Sequence, residues 1–246
     1  MRKSEITPSE LFAEAEAAMA RGEIDGAIDL FRVVAARAPG DSAALTHAAH
    51  LLLRLDRSGE ALEVLAEAVN RHRENATAWF LKGEAAEVQQ ETGLASEAFR
   101  HVIRLRPDFA LAHYRLGRMM RDTGAMAAAI PAFRDAARLD AADPRRHEDL
   151  AGVLYDVRMI EEAVTSLKRQ IILAPEDPTG RDNIAVALPL LGAREAGLRE
   201  FRRTVVVDPL NGEAWSRIGR LSRRLDPTTE TLAFDRRAVV LGPGDS

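Results

Sequence analysis

The chain has 246 residues, of which 46% are hydrophobic and 29% charged, and its formal net charge is −4. This composition is ordinary for a globular protein that is long enough to form a sizeable core. The net charge excludes a protein that binds polyanions through its overall charge, although local basic faces are compatible with it. The absence of cysteine excludes disulfides, thiolate metal sites and a cysteine nucleophile. The low aromatic content, 5%, and the abundance of alanine favour packed helices over a β-sandwich.

The N-terminal segment, residues 1–23, has no continuous apolar run, because Glu5, Glu10, Glu14 and Glu16 interrupt it. We therefore expect neither a secretory signal nor a membrane anchor in it. Elsewhere no run approaches the roughly 20 apolar residues that a membrane-spanning helix needs. The sequence predicts a cytoplasmic protein without a membrane partner, and the scarcity of lysine beside arginine indicates a bacterial origin.

The prolines reveal an internal repeat. Five of them lie on a lattice with a spacing of 34 residues: Pro39, Pro107, Pro175, Pro209 and Pro243. We take each repeat to begin three residues after a lattice point, which gives a short N-terminal lead, 1–7, followed by a single array over 8–246. The seven repeats of this array are 8–41, 42–75, 76–109, 110–143, 144–177, 178–211 and 212–246.

Three places within the repeat hold residues of constant size. The eighth place is Gly or Ala in all seven repeats, and the twentieth is Gly or Ala in the first six. The twenty-fourth place is Phe or Leu in the same six, whereas the seventh repeat departs from the pattern with Thr231 and Asp235. Apolar residues recur at helical spacing, so each repeat is predicted to be two helices. The small residues allow the helix axes to approach closely, and the large residue fills the adjacent space.

Glycines and prolines predict where these helices end. Gly22, Gly124 and Gly192 occupy the same place of their repeats, between the two helices. Pro189 lies late in a first helix, which it should kink or end. Pro131 lies inside a second helix, where it removes one backbone hydrogen bond.

The chain resembles the tetratricopeptide repeat (TPR) family in four features. These are the 34-residue period, the pattern of small and large residues, the lattice proline, and Trp79 and Trp215 at the fourth place. The resemblance covers almost the whole chain. It implies an all-α fold, a right-handed α-solenoid of helix-turn-helix hairpins whose first helices line a concave face. His113, His147 and Arg181 depart from the family pattern, because they stand in their repeats where Trp79 and Trp215 stand in theirs.

No motif in the sequence indicates catalysis or a cofactor. It has no glycine loop for a phosphate, no G-x-S-x-G and no H-E-x-x-H. His47 and His50 are three residues apart on one helix and could reach one metal, but no third ligand is evident, so we interpret them as solvated histidines. The sequence therefore predicts a protein that is not an enzyme and has no metal and no cofactor.

A partner-binding site is predicted on the first helices, at the places that avoid the packing stripe. These places are basic in the fourth repeat, acidic in the fifth and basic again in the seventh. Because arginine binds carboxylates in a bidentate manner, we expect a protein or peptide segment with acidic side chains near the fourth repeat. The candidate residues are Phe80, Tyr114, Arg115, Arg118, Arg121, Glu148, Asp149, Tyr155, Asn183, Arg217 and Arg220.

An alternative is that adjacent repeats neutralise each other, with Arg115 or Arg118 pairing to Glu148 or Asp149 across the repeat boundary. Some TPR arrays grip the terminal carboxylate of chaperone tails. That clamp is disfavoured here, because Asn183 is the only asparagine at the relevant place. Nucleic acid is disfavoured because acidic repeats interrupt the arginines.

The function predicted from the sequence is a non-catalytic scaffold or adaptor that binds a partner segment in the concave groove. One alternative is the N-terminal, substrate-recruiting domain of a larger bacterial enzyme such as a glycosyltransferase or sulfotransferase. The sequence ends in GPGDS where an eighth repeat would begin, which slightly favours a fragment of such a protein. The other alternative is self-association through the ends of the array.

Overall fold

The computed structural model describes residues 6–225, and within this range the chain is helical and has no strand. The prediction of an all-α fold of helical hairpins is confirmed. No helix in the described part of the chain is long and apolar enough to cross a membrane. The helices are α1 (Pro8–Arg21), α2 (Ile24–Arg37), α3 (Ala43–Arg54), α4 (Ser58–Arg71), α5 (Ala76–Val88), α6 (Thr92–Leu105), α7 (Ala110–Asp122), α8 (Met126–Leu139), α9 (Pro144–Asp156), α10 (Ile160–Leu173), α11 (Thr179–Ala187), α12 (Arg194–Val207) and α13 (Gly212–Leu225).

The chain divides into two compact bodies, Met1–Ala125 and Met126–Ser246. The N-terminal body contains α1 to α7, and the described part of the C-terminal body contains α8 to α13. Thr231 and Asp235, with which the seventh repeat departs from the pattern, lie outside the described residues. The single continuous array over 8–246 stays a prediction.

Small residues bring the two helices of a repeat together, as the repeat pattern predicts. A Cβ atom added at Gly83, in the eighth place of the third repeat, would lie 2.6 Å from the ring of Phe99. A Cβ atom added at Gly197, in the twentieth place of the sixth repeat, would lie 2.9 Å from Pro189 and 3.0 Å from the carbonyl oxygen of Ala185. No larger residue fits at these contacts without displacing its neighbours.

The turn between the two helices of a repeat has one left-handed residue. Positive φ angles, from 57° to 82°, recur every 34 residues at Gly22, Asp56, Gln90, Gly124, Arg158 and Gly192. In all six turns the N–H of the next residue donates to the carbonyl oxygen five residues before it, at N···O distances of 2.8–3.1 Å. The glycines are therefore at helix ends as predicted, and three other residues adopt a conformation that favours glycine.

The two internal prolines also behave as predicted. α11 ends at Ala187 and is followed by a 3₁₀ turn (Leu188–Leu191) that contains Pro189. Pro131 lies inside α8, which continues past it to Leu139. The first proline thus shortens its helix, whereas the second is accommodated on an exposed face.

A ring at the fourth place of a repeat forms a hydrogen bond to the turn that precedes the repeat. In four repeats the ring nitrogen bonds to the carbonyl oxygen of the lattice residue six positions earlier: Trp79 to Arg73 (2.9 Å), His113 to Pro107 (3.0 Å), His147 to Ala141 (3.4 Å) and Trp215 to Pro209 (2.9 Å). Since a carbonyl only accepts, each histidine must carry its proton on Nε2. The histidines therefore form the same hydrogen bond as tryptophan, whereas Arg181 places a guanidinium there instead of a ring.

Candidate functional site

The predicted arginine cluster of the fourth repeat is held by acidic side chains of the third. On α7, Nη1 of Arg115 lies 2.8 Å from Oε2 of Glu87, and its Nη2 lies 3.1 Å from Oε1 of Glu84. Only 25% of the Arg115 side chain and 18% of the Glu87 side chain are exposed. Burial raises the pKa of Glu84, and the positive charge of Arg115 opposes that rise. Arg115 is thus part of a half-buried ion network and is not free to bind a partner.

The two other arginines of this cluster also have partners within the N-terminal body. Arg118 lies 3.7 Å from Glu87, and its guanidinium carbon is 6.0 Å from the centroid of the Tyr114 ring. Nε of Arg121 lies 3.5 Å from a carboxylate oxygen of the adjacent Asp122. The alternative to partner binding was that a neighbouring repeat neutralises Arg115. A neighbouring repeat does so, but the acids are Glu84 and Glu87 of the preceding repeat and not the predicted Glu148 or Asp149 of the following one.

Several other predicted site residues contact side chains of the protein itself. Phe80 packs against Phe99 and Phe109, with ring centroids 5.8 and 5.1 Å apart, and belongs to the edge of the core. Tyr155 packs, half-buried, against the cluster around Ile160. Burial raises the pKa of Glu148, and the like charges of Asp177 and Asp149 add to that rise. These contacts use the aromatic faces that were expected to anchor a partner.

His47, the first of the paired histidines, packs on two aromatic rings. Its ring stacks on Phe31 at a centroid distance of 5.2 Å and meets the edge of Phe12 at 5.4 Å. No group of three or more metal-ligating side chains is found in the part of the chain that the structure describes. His47 therefore covers aromatic side chains at the edge of the core.

A second set of predicted residues converges in the C-terminal body, between α11 and α13. Two adjoining cavities of about 440 and 270 Å³ share Val186, Phe201, Glu213 and Arg217 as lining residues. Asn183 lines the smaller cavity, and Arg220 lines the larger one. We call this region the α11–α13 groove and define it by Asn183, Val186, Pro189, Phe201, Arg217 and Arg220.

The charges of the α11–α13 groove are only partly compensated. Arg217 pairs with Glu213 one turn earlier on its own helix and lies over the ring of Phe201, 5.8 Å from its centroid. Among the described residues, Arg220 forms no ion pair with a carboxylate, although its charge helps to lower the pKa of Glu213. Burial raises the pKa of Asp182, which accepts a hydrogen bond from Thr204 at the wall of the groove. Counting only the described residues, the groove therefore presents one guanidinium without an ion-pair partner, in a cavity that Phe201 also lines.

The two arginine clusters occupy equivalent places of the repeat. The sixth and ninth places hold arginine in both repeats, Arg115 and Arg118 in the fourth, Arg217 and Arg220 in the seventh. The ninth and twelfth places of the repeat before each pair differ, being Glu84 and Glu87 in one case and Val186 and Pro189 in the other. An apolar wall thus replaces two carboxylates. Comparing these four places across repeats would have identified, from the sequence, the arginines that have no acidic side chain at the facing places of the preceding repeat.

Comparisons with known proteins give the family. Two family models, both described as tetratricopeptide repeat, match residues 18–85 and 89–144. The chain belongs to the TPR family, whose members are generally non-catalytic interaction modules that bind protein or peptide partners. No curated protein matches the chain significantly.

The chain is also similar to solved TPR structures, at identities that show the fold alone. The C-terminal part of a TPR repeat-containing protein from Cytophaga hutchinsonii is 13% identical, with a TM-score of 0.73 and coverage of 96% of each chain. YrrB, described as a TPR protein with an unusual peptide-binding site, is 20% identical with a TM-score of 0.66, over 73% of this chain and 92% of its own. MamA is 17% identical with a TM-score of 0.63, over 68% of this chain and 92% of its own.

Proposed function

We propose that the protein is a non-catalytic interaction scaffold that binds an extended segment of a protein partner in the α11–α13 groove. An acidic side chain of that segment faces Arg220, and an apolar side chain packs against Val186 and Phe201. The observation that carries the proposal is an exposed arginine that has no ion-pair partner among the described residues and lines a cavity together with Val186, Pro189 and Phe201. A carboxylate binds a guanidinium through two parallel hydrogen bonds, which gives both affinity and direction.

The dimensions and polar groups of the groove support a peptide. Each of its two cavities, about 440 and 270 Å³, has room for individual side chains of an extended chain. The exposed amide of Asn183 can both donate to and accept from the backbone of such a chain. YrrB, which shares the fold, is described as having a peptide-binding site, and this likeness favours a peptide ligand here.

The acidic segment that the sequence analysis expected near the fourth repeat is thereby assigned to the seventh. At the fourth repeat an incoming carboxylate would compete with Glu84 and Glu87 for Arg115. At the seventh repeat it meets Arg220, which no carboxylate of the described residues holds. The proposal therefore keeps the chemistry of the original hypothesis and changes its location.

The test is a selection of random displayed peptides on the purified protein and on two charge-reversal variants. The wild type is expected to enrich peptides that contain Asp or Glu next to an apolar residue. Arg220→Glu should lose this motif, because the reversed charge repels the carboxylate. Arg118→Glu is the matched control, since it changes the same place of the fourth repeat, and it should enrich the wild-type motif.

Two outcomes contradict the proposal. One is that the wild type enriches no common motif. The other is that Arg220→Glu and the wild type enrich the same acidic motif with equal binding strength. Circular dichroism of all three proteins establishes that they are folded, which we expect because Arg220 is exposed.

A further inference from the structure

The sixth repeat lacks the ring pair that occupies the corresponding position in the third. In the third repeat Trp79, at the fourth place, stacks on His101, at the twenty-sixth, with ring centroids 4.0 Å apart and planes inclined by 5°. The same two places of the sixth repeat hold Arg181 and Arg203. Two guanidinium groups therefore stand in the sixth repeat where two stacked rings stand in the third.

A cavity of about 510 Å³ is present at this position. Its lining contains three arginines, one acid and two apolar residues: Arg181, Arg202, Arg203, Glu176, Pro175 and Val206. Val206 is 79% exposed and lies on the wall of this cavity. The cavity thus combines a basic region with an exposed apolar wall, and it shares no lining residue with the α11–α13 groove.

The positive charge of this cavity exceeds what its neighbours compensate. Arg203 lies 2.8 Å from a carboxylate oxygen of Glu200. Within the described residues, neither Arg181 nor Arg202 forms an ion pair, and the lining contains only one carboxylate, that of Glu176. Two guanidinium groups are thus available to one ligand, which is more than a single carboxylate requires.

We propose that this cavity binds a phosphate monoester, with the phosphoryl group between Arg181 and Arg202 and the organic part against Pro175 and Val206. A phosphate monoester carries a charge near −1.5 to −2 at neutral pH and has three acceptor oxygens, which match two guanidinium forks. The cavity is larger than a phosphate ion, and its apolar wall accommodates the group that the phosphate esterifies. This site is independent of the function proposed above.

The test is calorimetric titration of the full chain, in a buffer free of phosphate and sulfate, with phenyl phosphate and with inorganic phosphate as probes. We expect saturable binding of both, with phenyl phosphate bound more tightly because its ring packs on Val206. Arg202→Gln should weaken the binding of phenyl phosphate about tenfold, since it removes charge-assisted hydrogen bonds. Arg100→Gln, the same change at the same place of the third repeat, should leave it unchanged.

A second variant fills the cavity without removing the fold. Arg181→Trp restores the residue that the third repeat has at this place, and its indole nitrogen can reach the carbonyl oxygen of Pro175 as Trp79 reaches that of Arg73. This variant should fold and should not bind phenyl phosphate. Arg220→Glu should bind it as the wild type does, which separates this site from the α11–α13 groove.

Three results would overturn the inference. They are the absence of saturable binding by the wild type, tighter binding of inorganic phosphate than of phenyl phosphate, and binding by Arg181→Trp or Arg202→Gln with wild-type affinity.

Discussion

The arginine pairs of the fourth and seventh repeats are alike in sequence and opposite in surroundings. Arg115 contacts two carboxylates in a half-buried network, whereas Arg220 lines a cavity with Val186 and Phe201 and has no carboxylate partner among the described residues. The difference comes from two places of the preceding repeat, which hold Glu84 and Glu87 in the first case. In these two repeats, the availability of the arginine therefore depends on whether those two places of the preceding repeat are acidic or apolar.

The two arginine pairs are also expected to differ in what they contribute, stability in the fourth repeat and partner recognition in the seventh. In the fourth repeat the ion network lies mostly out of solvent, so removing one charge leaves the opposite charge buried and uncompensated. In the seventh repeat the exposed arginine contributes little to folding, because an exposed charge is well solvated and screened. Substitutions at equivalent places should consequently change different measurable quantities in the two bodies.

The largest expected effect is the loss of stability on removing Arg115. We predict that Arg115→Met lowers the free energy of unfolding by about 2–3 kcal/mol, because Glu84 then stays half-buried without its counter-charge and Glu87 keeps only the more distant Arg118. Arg217→Met, at the same place of the seventh repeat, should cost less than about 1 kcal/mol, since its partner Glu213 is exposed. Urea unfolding followed by circular dichroism measures both.

The control for this prediction neutralises the acids as well. In the Arg115→Met background, the changes Glu84→Gln and Glu87→Gln should recover most of the lost stability, because no half-buried carboxylate is left without a counter-charge. If the triple variant is no more stable than Arg115→Met alone, the cost arises from lost packing of the arginine stem, and the proposed role of the ion network is wrong.

The next largest effect is expected on peptide affinity. The substitution introduces into the C-terminal body the acid that the N-terminal body has at the equivalent place. Val186→Glu places a carboxylate where the third repeat has Glu84, so that it can pair with Arg217 and lower the positive potential at Arg220. The affinity for the acidic peptides that the wild type selects should fall about tenfold. Val186→Gln is the matched control of equal size and should fall less. Equal losses for the two variants would show that shape, and not charge, determines binding.

A smaller effect is expected in the pH dependence of the Arg115→Met variant. Burial raises the pKa of Glu84 in the folded protein, so the folded state binds this proton more tightly than the unfolded state does. Protonation therefore stabilises the fold, and stability decreases as the pH rises through the raised pKa. Removing Arg115 takes away the charge that opposes the rise. The destabilisation by Arg115→Met should then be smaller at a pH near 4.5 than at neutral pH, by about 1 kcal/mol. An equal destabilisation at both pH values would contradict this account.

Most of the fold could be predicted from the sequence, because the repeat presents the same packing problem several times. The eighth and twentieth places identified the close helix contacts that Gly83 and Gly197 make, and Pro189 identified the end of α11. The turn prediction was incomplete, since three of the six left-handed residues are not glycine, and only the period could have indicated them.

The candidate site was predicted less well, for a physical reason. Facing the groove is a property of one helix, whereas being free to bind depends on side chains of the neighbouring helix. The helical period places Arg115 on the groove side of α7, but it does not reveal that Glu84 and Glu87 of the third repeat lie within reach. Arg181 likewise reads in the sequence as a missing ring, and in the structure it lines a basic cavity.

The smallest predicted effect tests whether the two bodies share one hairpin backbone, as the comparison of equivalent places assumes. Gln90 in the N-terminal body and Arg158 in the C-terminal body have φ angles of 60° and 67°, a region that costs an L-residue about 1 kcal/mol relative to glycine. Gln90→Gly and Arg158→Gly should therefore each stabilise the protein by about 0.5–1 kcal/mol, and Gly124→Ala should destabilise it by a similar amount. Thermal unfolding measures all three, with Gly93→Ala, a change inside α6 at a site with open space around it, as the control that should be neutral or stabilising. If the glycine variants are instead less stable than the wild type, the left-handed turn is not common to the repeats, and equivalent places in the two bodies cannot be compared.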